Sequence, residues 1–367
     1  MTNFAFRVDA SMNIGTGHVI RCLTLADALR AQGAQCQFIC RAHPGHLMDI
    51  IRSRGYMVSS LAAPVPQDLP HDISTAWLGS TWQDDALETE AVLGCFQIDW
   101  LVVDHYSIDQ RWEAILKPRY KKLMVIDDLA DRPHCCDLLL DQNWFSEATL
   151  TRYENLVPTH CQCYFGPKFA LLKHEYGQQR AAMSPRDGNI RRVLVFLGGS
   201  DPTNQTAKVL HALSVPDLRS LAVDVVIGKN HPDRLGIQML VEARHSTVLH
   251  QNLPHLAGLM AQADLMVGAG GATAWERMCL GLPCIVISTA ANQTVCSTAL
   301  MKAGYIDFLG EMNQITVDHI SAALKRCLTN PKTIRNQSIR GQELVSGTGL
   351  NVICNSLLGY KLTQHET

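Results

Sequence analysis

Uninterrupted apolar segments alternate with segments of helical periodicity along most of the chain. The strand-like segments of the first half are FAFRVDA, CQFICRA, WLVVDHY, KLMVIDDLA and DLLLDQN. They show no apolar–polar alternation, which is typical of strands buried on both faces of a parallel sheet. Helical patterns separate them, the first from His18 to Gln32 before Gly33. The pattern therefore predicts an α/β fold in which helices cover a parallel sheet.

A second cycle of the same kind starts near residue 191. Its strand-like segments are RRVLVFL, VDVVIG, STVLHQN, ADLMV and PCIVIST. The polar stretch 177–190 has no apolar period and favours a linker, while the Pro-, Gly- and Ser-rich residues 63–83 favour a surface excursion. The predicted fold class is α/β and GT-B-like, with two Rossmann-like lobes and a cleft between them. We expect an N-terminal lobe at 1–180, a linker at 181–190, a C-terminal lobe at 191–345 and a helical tail at 346–367.

The composition is that of a well-buried globular protein. Of its 367 residues, 47% are apolar and 18% are charged, and the formal charge is −2. This length suits two α/β domains, and the weak net charge without a basic run argues against nucleic-acid binding. No apolar run approaches the roughly 20 residues that span a bilayer, so we expect no stable membrane insertion.

The thirteen cysteines are scattered, with only Cys135-Cys136 and Cys161-x-Cys163 close together. No pair has the C-x-x-C spacing of a zinc site, and many lie in apolar segments, where Cys acts as a small hydrophobe. Such use of cysteine is typical of a reducing compartment, and the strand-like N-terminal segment is not a secretory signal. We expect a cytoplasmic monomer that needs no metal and no other cofactor.

The junction Gly15-Thr16-Gly17-His18 lies between the first strand and the first helix. Its glycines allow a tight bend and the close approach of a ligand. His18 would open the helix, where unpaired N–H groups and the positive end of the dipole disfavour imidazolium. A neutral imidazole accepts a proton, so His18 is a candidate base. The alternative is an ordinary strand-to-helix turn.

Three consecutive strands of the first half end in polar residues. The carboxyl ends of parallel strands meet at one edge of a sheet, where ligands of such folds bind. The sequence therefore predicts a polar, ligand-binding rim, and the alternative is a set of strand ends whose polar groups satisfy one another. The three strand ends are Asp104-His105-Tyr106, Asp127-Asp128 and Asp141-Gln142-Asn143.

Two glycine loops follow strands of the second half. Gly199 and Ser200 follow VLVFL, and Gly271, Ala272 and Thr273 follow ADLMV. Their N–H and O–H groups suit a phosphate, and the second loop leads into a helix N-terminus. Neither loop has the Gly-Lys-Ser/Thr ending of a P-loop, and G-x-G-x-x-G is absent. Both facts argue against an ATPase or a dinucleotide dehydrogenase.

Glu276 lies one turn inside the helix that follows the second glycine loop. Its carboxylate cannot bind phosphate, but it can accept hydrogen bonds from a ribose diol. Asn292 and Gln293 open a later helix, and their amides are suited to hydrogen-bond sugar groups. The structural alternatives are a first-turn acid that suits the helix dipole for Glu276 and an N-cap for Asn292.

Six segments together resemble the family of UDP-2,4-diacetamido-2,4,6-trideoxy-β-L-altropyranose hydrolases of pseudaminic acid biosynthesis. The layout is also similar to the GT-B fold of MurG-type glycosyltransferases, whose first loop the present one resembles in a shortened form. The segments run in order over nearly the whole chain, and only Cys135-Cys136 departs from an expected polar stretch. They are FRVDASMNIGTGHVIRCLTLADAL, DWLVVDHYSID, MVIDDLADRPHCCDLLLDQN, YFGPKFALL, VLVFLGGSDPTN and GAGGATAWERMCLGLPCIVISTAANQ.

The resemblance implies hydrolysis of the bond between the anomeric carbon of the sugar and UDP, with inversion. It implies that His18 is the general base, that Glu276 holds the uridine ribose and that Asn292 contacts the substrate. Tyr106 is expected near the sugar, in a catalytic or only a binding role, and Gln293 is included as the neighbour of Asn292. Attack at an anomeric carbon produces oxocarbenium character. Backbone donors can stabilise the UDP leaving group without a general acid.

Two other functions fit part of these features. A GT-B glycosyltransferase would move the sugar to an acceptor hydroxyl, and an apolar patch rimmed by Lys and Arg would mark a membrane-linked acceptor. The stretch from Leu47 to Leu61 is apolar but holds only Arg52 and Arg54. A non-catalytic nucleotide-sugar sensor would need the second-lobe loops but no base, so His18 argues against it.

Overall fold

The computed structural model describes residues 1–12, 14–64, 77–94, 96–146, 151–251 and 253–360. Much of the predicted surface excursion, residues 65–76, lies outside the described residues. The chain divides into two compact units, which we call the first and second lobe. The first comprises Met1–Asn143, Glu147–Leu171 and Thr348–Thr367, and the second comprises Trp144–Ser146 and Leu172–Gly347.

The first lobe is built on a seven-stranded parallel sheet of order β3-β2-β1-β4-β5-β6-β7. Successive residues of a strand enter different core clusters, Val102 on one face of the sheet and Leu101 on the other. Burial on both faces explains why these strands lack alternation. The strands are β1 (Asn3–Val8), β2 (Gln35–Arg41), β3 (Met57–Leu61), β4 (Ile98–Asp104), β5 (Tyr120–Ile126), β6 (Leu138–Asp141) and β7 (Gln162–Phe165). The α-helices described between these strands are α1 (Gly17–Ala31), α2 (Met48–Ser53), α3 (Trp82–Leu93) and α4 (Gln110–Leu116).

The second lobe repeats the design with a six-stranded parallel sheet of order β10-β9-β8-β11-β12-β13. The strands are β8 (Arg192–Phe196), β9 (Ala222–Ile227), β10 (Thr247–Gln251), β11 (Leu265–Ala269), β12 (Cys284–Ser288) and β13 (Asp307–Glu311). The helices are α5 (His174–Ala182), α6 (Gln205–Leu213), α7 (Arg234–Glu242), α8 (Ala257–Gln262), α9 (Thr273–Cys279), α10 (Ala291–Lys302), α11 (Val317–Leu328) and α12 (Pro331–Leu344). The expected class of two α/β lobes with parallel sheets is therefore confirmed.

The last helix, α13 (Gly349–Leu358), packs in the first lobe. Its apolar residues Leu350, Ile353 and Leu357 belong to the same core cluster as Val19 and Leu23 of α1. Helix α13, which lies in the segment expected as a helical tail, is thus part of the core of the first lobe. None of the helices in the described ranges is long and apolar enough to cross a membrane.

The lobe boundary lies closer to the N-terminus than the sequence predicts. Helix α5 covers the first residues of the stretch 177–190, whose composition favours a linker, and it belongs to the second lobe. Only Tyr176 of this helix is buried. A single buried residue gives no apolar period, which is why the sequence pattern does not indicate a helix here.

Candidate active site

The loop between β1 and α1 makes a tight turn at the carboxyl end of β1. The Gly15 N–H donates to the Ser11 carbonyl (2.9 Å), and Gly15 has a φ of +81°. This left-handed backbone favours glycine over any residue with a Cβ. A Cβ added at Gly15 or Gly17 would meet no heavy atom within 4 Å, so the space beside the loop is open. Helix α1 begins at Gly17, and His18 lies in its first turn.

His18 contacts a carboxylate at the end of the neighbouring strand. Because β1 pairs with β4, Asp104 at the end of β4 lies close to the start of α1. His18 Nδ1 and Asp104 Oδ1 are 2.5 Å apart, and both side chains are buried. An ionised carboxylate only accepts, so we assign the Nδ1–H tautomer, in which Nε2 is the atom that can take up a proton. Across the described chain, Nε2 has no hydrogen-bond partner.

Arg21 joins this carboxylate to a second one. Its Nε and Nη2 donate to the two Asp104 oxygens at 2.6 and 2.7 Å, and Nη1 donates to Asp128 at 3.0 Å. Burial alone would raise the pKa of the Asp104 carboxyl, but Arg21 and His18 hold it below its ordinary value. Asp104 is therefore ionised at neutral pH. Its charge stabilises a positive charge on the ring, which Arg21 and the helix start oppose.

Tyr106 completes the cluster around His18. Its hydroxyl donates to Asp128 Oδ2 at 2.7 Å, and its ring meets the His18 ring edge-on with centroids 4.6 Å apart. Burial, with Asp128 nearby, raises the pKa of the Tyr106 phenol well above its ordinary value. The phenol therefore stays protonated and acts as a donor rather than as a base at neutral pH. Trp77 packs against it, with ring centroids 5.2 Å apart.

Asn143 lies at the end of β6, further along the same polar edge. Its N–H donates to Asp141 Oδ1 (2.9 Å), and Arg152 forms an ion pair with the other Asp141 oxygen. Arg152 also donates to the Asp128 carbonyl (3.0 Å). The polar strand ends thus satisfy one another in one connected network from His18 to Asn143, and their binding of a ligand stays a prediction.

The glycine loop after β11 is held close to the start of α10. A Cβ at Gly270 would lie 2.6 Å from Ser297 Oγ, so this close approach requires glycine. The Gln293 Oε1 atom accepts hydrogen bonds from the N–H groups of Gly270 (3.2 Å) and Thr289 (3.0 Å). The oxygen of the Gln293 amide therefore supports the loop. Its NH₂ group, which lies beside Gly271, remains available to donate to a ligand.

Asn292 is exposed in the first turn of α10. The N-cap position of this helix is Ala290, which makes no side-chain capping bond. The structural alternative of an Asn292 N-cap is therefore wrong. Helix α10 begins at Ala291, so its N-cap lies two residues before Asn292.

Gly199 and Ser200 follow β8, the strand adjacent to β11, so both glycine loops lie at one edge of the second sheet. Asp201 accepts hydrogen bonds from the N–H groups of Gln205 (2.9 Å) and Thr206 (2.8 Å). These two donors at the start of α6 are therefore already used. Any phosphate at this edge would depend on the donors of Gly199 and Ser200.

Glu276 lies in the first turn of α9, as expected, three residues after Thr273. Its side chain is partly buried, and this burial raises the pKa of its carboxyl to about 7. The neighbouring Tyr176 hydroxyl and the charges of Lys173 and Arg277 act in the opposite direction on this pKa. Near neutral pH, the neutral and ionised forms of the Glu276 carboxyl are therefore both populated.

Two groups of the site, Asp104 and Arg21, are not among the site residues predicted from the sequence. The strand-end pattern includes Asp104 without giving it a role, and no motif indicates a role for Arg21. Arg21 follows His18 by three residues and therefore lies on the same face of α1. A buried guanidinium requires a negatively charged partner, so burial of this face of α1 is the signal that could have indicated a carboxylate beside Arg21. Among the described residues, no group of His, Cys, Asp and Glu is arranged to hold a metal ion.

Comparison with known proteins identifies the fold. Residues 193–346 match the glycosyltransferase family 28 C-terminal domain. MurG of Acinetobacter baumannii has the same fold, with a TM-score of 0.64 at 11% identity, and the match covers 98% of this chain and all of that one. The fold is GT-B. At this identity, the GT-B neighbour bears on architecture alone.

Curated proteins are also similar to this chain in sequence. The UDP-2,4-diacetamido-2,4,6-trideoxy-β-L-altropyranose hydrolase of Campylobacter jejuni is 25% identical over 301 residues, which are 82% of this chain and 96% of that protein. The spore coat polysaccharide biosynthesis protein SpsG of Bacillus subtilis is 28% identical over 195 residues, 53% of this chain. The match spans only 57% of SpsG. The resemblance to the hydrolase family inferred from the six segments is therefore confirmed as a resemblance.

Proposed function

We propose that this protein hydrolyses UDP-2,4-diacetamido-2,4,6-trideoxy-β-L-altropyranose, releasing UDP by attack of water at the anomeric carbon. The observation that carries the proposal is the contact of His18 Nδ1 with Asp104, which leaves Nε2 without a hydrogen-bond partner among the described residues, at the carboxyl edge of a parallel sheet. The similarity to the Campylobacter jejuni hydrolase over nearly all of that protein supports the same reaction and substrate.

In the proposed step, His18 Nε2 takes a proton from water while the water oxygen forms a bond to the anomeric carbon. The bond from that carbon to the diphosphate oxygen breaks, and UDP leaves with its electron pair. One displacement inverts the anomeric configuration. Asp104 stabilises the imidazolium through Nδ1–H, as a buried carboxylate does for a catalytic histidine. The carboxylates of Asp104 and Asp128 also favour the positive charge of an oxocarbenium-like transition state.

The same negative edge is unsuited to a diphosphate, so we assign UDP to the second lobe. Donors for the diphosphate are the backbone of Gly271, Ala272 and Thr273, the Gln293 NH₂ group, and Gly199 with Ser200. The Glu276 carboxylate accepts hydrogen bonds from the ribose diol, and exposed Asn292 contacts the substrate. Tyr106, whose hydroxyl donates to Asp128 beside His18, contacts the sugar rather than moving protons.

Binding of uridine should depend on Glu276 and on its ionisation. Glu276→Ala is expected to weaken uridine binding by roughly 1–3 kcal/mol, the loss of a hydrogen bond to a charged group. The ionised carboxylate is the better acceptor and has a pKa of about 7. Wild-type affinity should therefore rise with pH through that value. Calorimetry with uridine, which carries no titrating phosphate, measures both effects.

Glu242→Ala is the matched control for this measurement, because Glu242 is exposed on α7 of the same lobe. It should leave uridine binding and its pH dependence unchanged. An unaltered dissociation constant in Glu276→Ala would reject the ribose contact.

A glycosyltransferase of the same fold is the second candidate. The match of residues 193–346 to a glycosyltransferase domain favours it. In that case the oxygen deprotonated by His18 belongs to an acceptor hydroxyl rather than to water. The residues involved would be the same, so only the products can separate the two reactions.

A proton NMR time course in ¹⁸O-labelled water tests the proposal, with the UDP-linked sugar and no acceptor. We expect release of UDP, an inverted anomeric configuration and the label on the sugar. Label in the phosphate of UDP would contradict attack at carbon. Binding of UDP without turnover would reject the hydrolase in favour of an acceptor-dependent transferase or a non-catalytic sensor.

A further inference from the structure

Arg277 is an almost fully buried arginine on α9, the helix that follows the second glycine loop. Its Nη1 donates to the carbonyl of Ala269 at 3.0 Å, and this is the one hydrogen bond of its side chain within the described residues. In the same part of the chain, Nε and Nη2 are buried without a hydrogen-bond partner. A guanidinium has five N–H donors, so most of the hydrogen-bonding capacity of this side chain is unused.

The charge of Arg277 distinguishes it from other buried arginines. Arg7 and Arg41 both form ion pairs with Asp85, whereas Arg277 has no carboxylate at ion-pair distance among the residues that the structure describes. The carboxyl of Glu276, the preceding residue, is affected by the charge of Arg277 but accepts no hydrogen bond from it. An unpaired charge inside a protein is costly because water no longer solvates it. The second lobe therefore carries a buried positive charge without an ion-pair partner in its described part.

The position of this charge relates it to the proposed phosphate site. Ala269 is the last residue of β11, and the glycine loop assigned to the diphosphate starts at the next residue. The guanidinium is thus bonded to the backbone at the point where the strand leads into the loop. In the poorly polarisable interior of a protein, a charge acts over a longer distance than it does in water.

We propose that Arg277 supplies the fixed positive charge of the diphosphate site and acts on the phosphates through the protein interior rather than by direct contact. The inference rests on the proposed binding of UDP by the glycine loop after β11. A bound diphosphate provides the negative charge that the described residues do not place beside Arg277. The charge is fixed when the protein folds, so the ligand is attracted without reorganisation of the site. Such a site prefers ligands in the order UDP, UMP and uridine.

The competing explanation is that Arg277 only holds the end of β11 in place through Ala269. Arg277→Met removes the charge and keeps a long side chain. We expect UDP to bind roughly ten- to hundredfold more weakly, UMP to lose less affinity, and uridine to bind as it does to the wild type. Calorimetry well above the Glu276 pKa of about 7 measures these affinities, because that carboxyl is then ionised with or without Arg277. Equal losses for the three ligands, or no loss for UDP, overturn the inference.

The stability of the protein without ligand separates a role of the charge from a role in holding the strand. Removing an unpaired buried charge should offset the loss of the one hydrogen bond to Ala269. The urea midpoint of Arg277→Met should therefore equal or exceed that of the wild type, and UDP should raise it by less. A variant that unfolds, or that has a lower midpoint, would identify Arg277 as a structural support and overturn the inference.

Arg277→Gln keeps an N–H donor for the Ala269 carbonyl but removes the charge. It should lose UDP affinity as Arg277→Met does, and retained affinity overturns the inference. The matched control is Arg335→Met, which removes an exposed charge from α12 of the same lobe. It should bind UDP almost as the wild type does, because salt screens a surface charge. An equal loss in this control would trace the effect to net charge and likewise overturn the inference.

The two proposals fail in different ways. A wild-type protein that binds uridine as tightly as UDP would reject the diphosphate site, and the inference would fall with it. A preference for UDP that survives in Arg277→Met would reject the inference alone. The proposed hydrolysis is read separately, from the labelled sugar product.

Discussion

His18→Asn is expected to lower kcat by roughly 10²–10⁴-fold, the usual contribution of a general base. Asparagine keeps a polar group of similar size beside Asp104 but cannot take a proton from water. The UDP dissociation constant should stay close to that of the wild type, because UDP is assigned to the second lobe. Single-turnover release of UDP gives the rate, and calorimetry gives the affinity.

His160→Asn is the matched control for this variant. His160 belongs to the first lobe, and 66% of its side chain is exposed. Turnover in this control should equal that of the wild type. Full activity in His18→Asn would remove His18 from the reaction, and a loss of UDP binding would show that the variant disturbs more than the base.

Asp104→Asn is expected to reduce kcat by a similar roughly 10²–10⁴-fold while leaving KM nearly unchanged. An amide cannot stabilise the imidazolium, and it does not select the Nδ1–H tautomer of His18. Long-range ¹H–¹⁵N NMR of the histidine ring reads that tautomer directly. We expect Nδ1–H in the wild type and a mixture of tautomers in the variant.

The comparison variant is Asp128→Asn, which removes the other carboxylate bound to Arg21 but leaves the contact between His18 and Asp104. It should retain the Nδ1–H tautomer and lose less of the rate than Asp104→Asn, because only the charge of Asp128 near the transition state is removed. A wild type that carries Nε2–H on His18 would contradict the assigned base atom. Equal rate losses in the two variants would instead point to a general effect of charge at this edge.

The same carboxylate contributes to stability in a pH-dependent way. The pKa of Asp104 lies below its ordinary value in the folded protein, so the folded state favours the ionised form. That contribution is fully present above the unfolded value of about 4 and is lost as the pH falls towards the folded one. The difference in free energy of unfolding between the wild type and Asp104→Asn should therefore be present at neutral pH and disappear in acid.

The two-sheet architecture is predictable from the sequence because its central strands are buried on both faces. β1, β4, β5, β8, β11 and β12 read as apolar runs. The outer strands β3, β7 and β13 are not predicted from apolar runs, because they lie at sheet edges and are only half-buried. Met57 of β3 is 51% exposed, and Gly310 interrupts β13. Such short segments have neither an apolar run nor a clear alternation.

Individual residues of the candidate site can be predicted from the sequence, but the contacts between them cannot. His18 and Asp104 are each conspicuous in the sequence, yet 86 positions separate them, and only the pairing of β1 with β4 brings them together. Arg21 would be interpreted as a solvent-exposed helix residue until two carboxylates are placed around it. Tyr176 lies next to a stretch whose composition favours a linker. Its place on a helix of the second lobe depends on which lobe that stretch joins, and the sequence pattern does not contain this information.

The position of α13 has a consequence for biosynthesis. Most of the first lobe precedes the second lobe in the chain, but the core contacts of Leu350, Ile353 and Leu357 with α1 can form only after the second lobe has been translated. Until then, the apolar face of α1 around Val19 and Leu23 has no cover from this helix. The first lobe therefore cannot complete its core until the second lobe has been synthesised, and apolar surface that is exposed in the meantime favours aggregation.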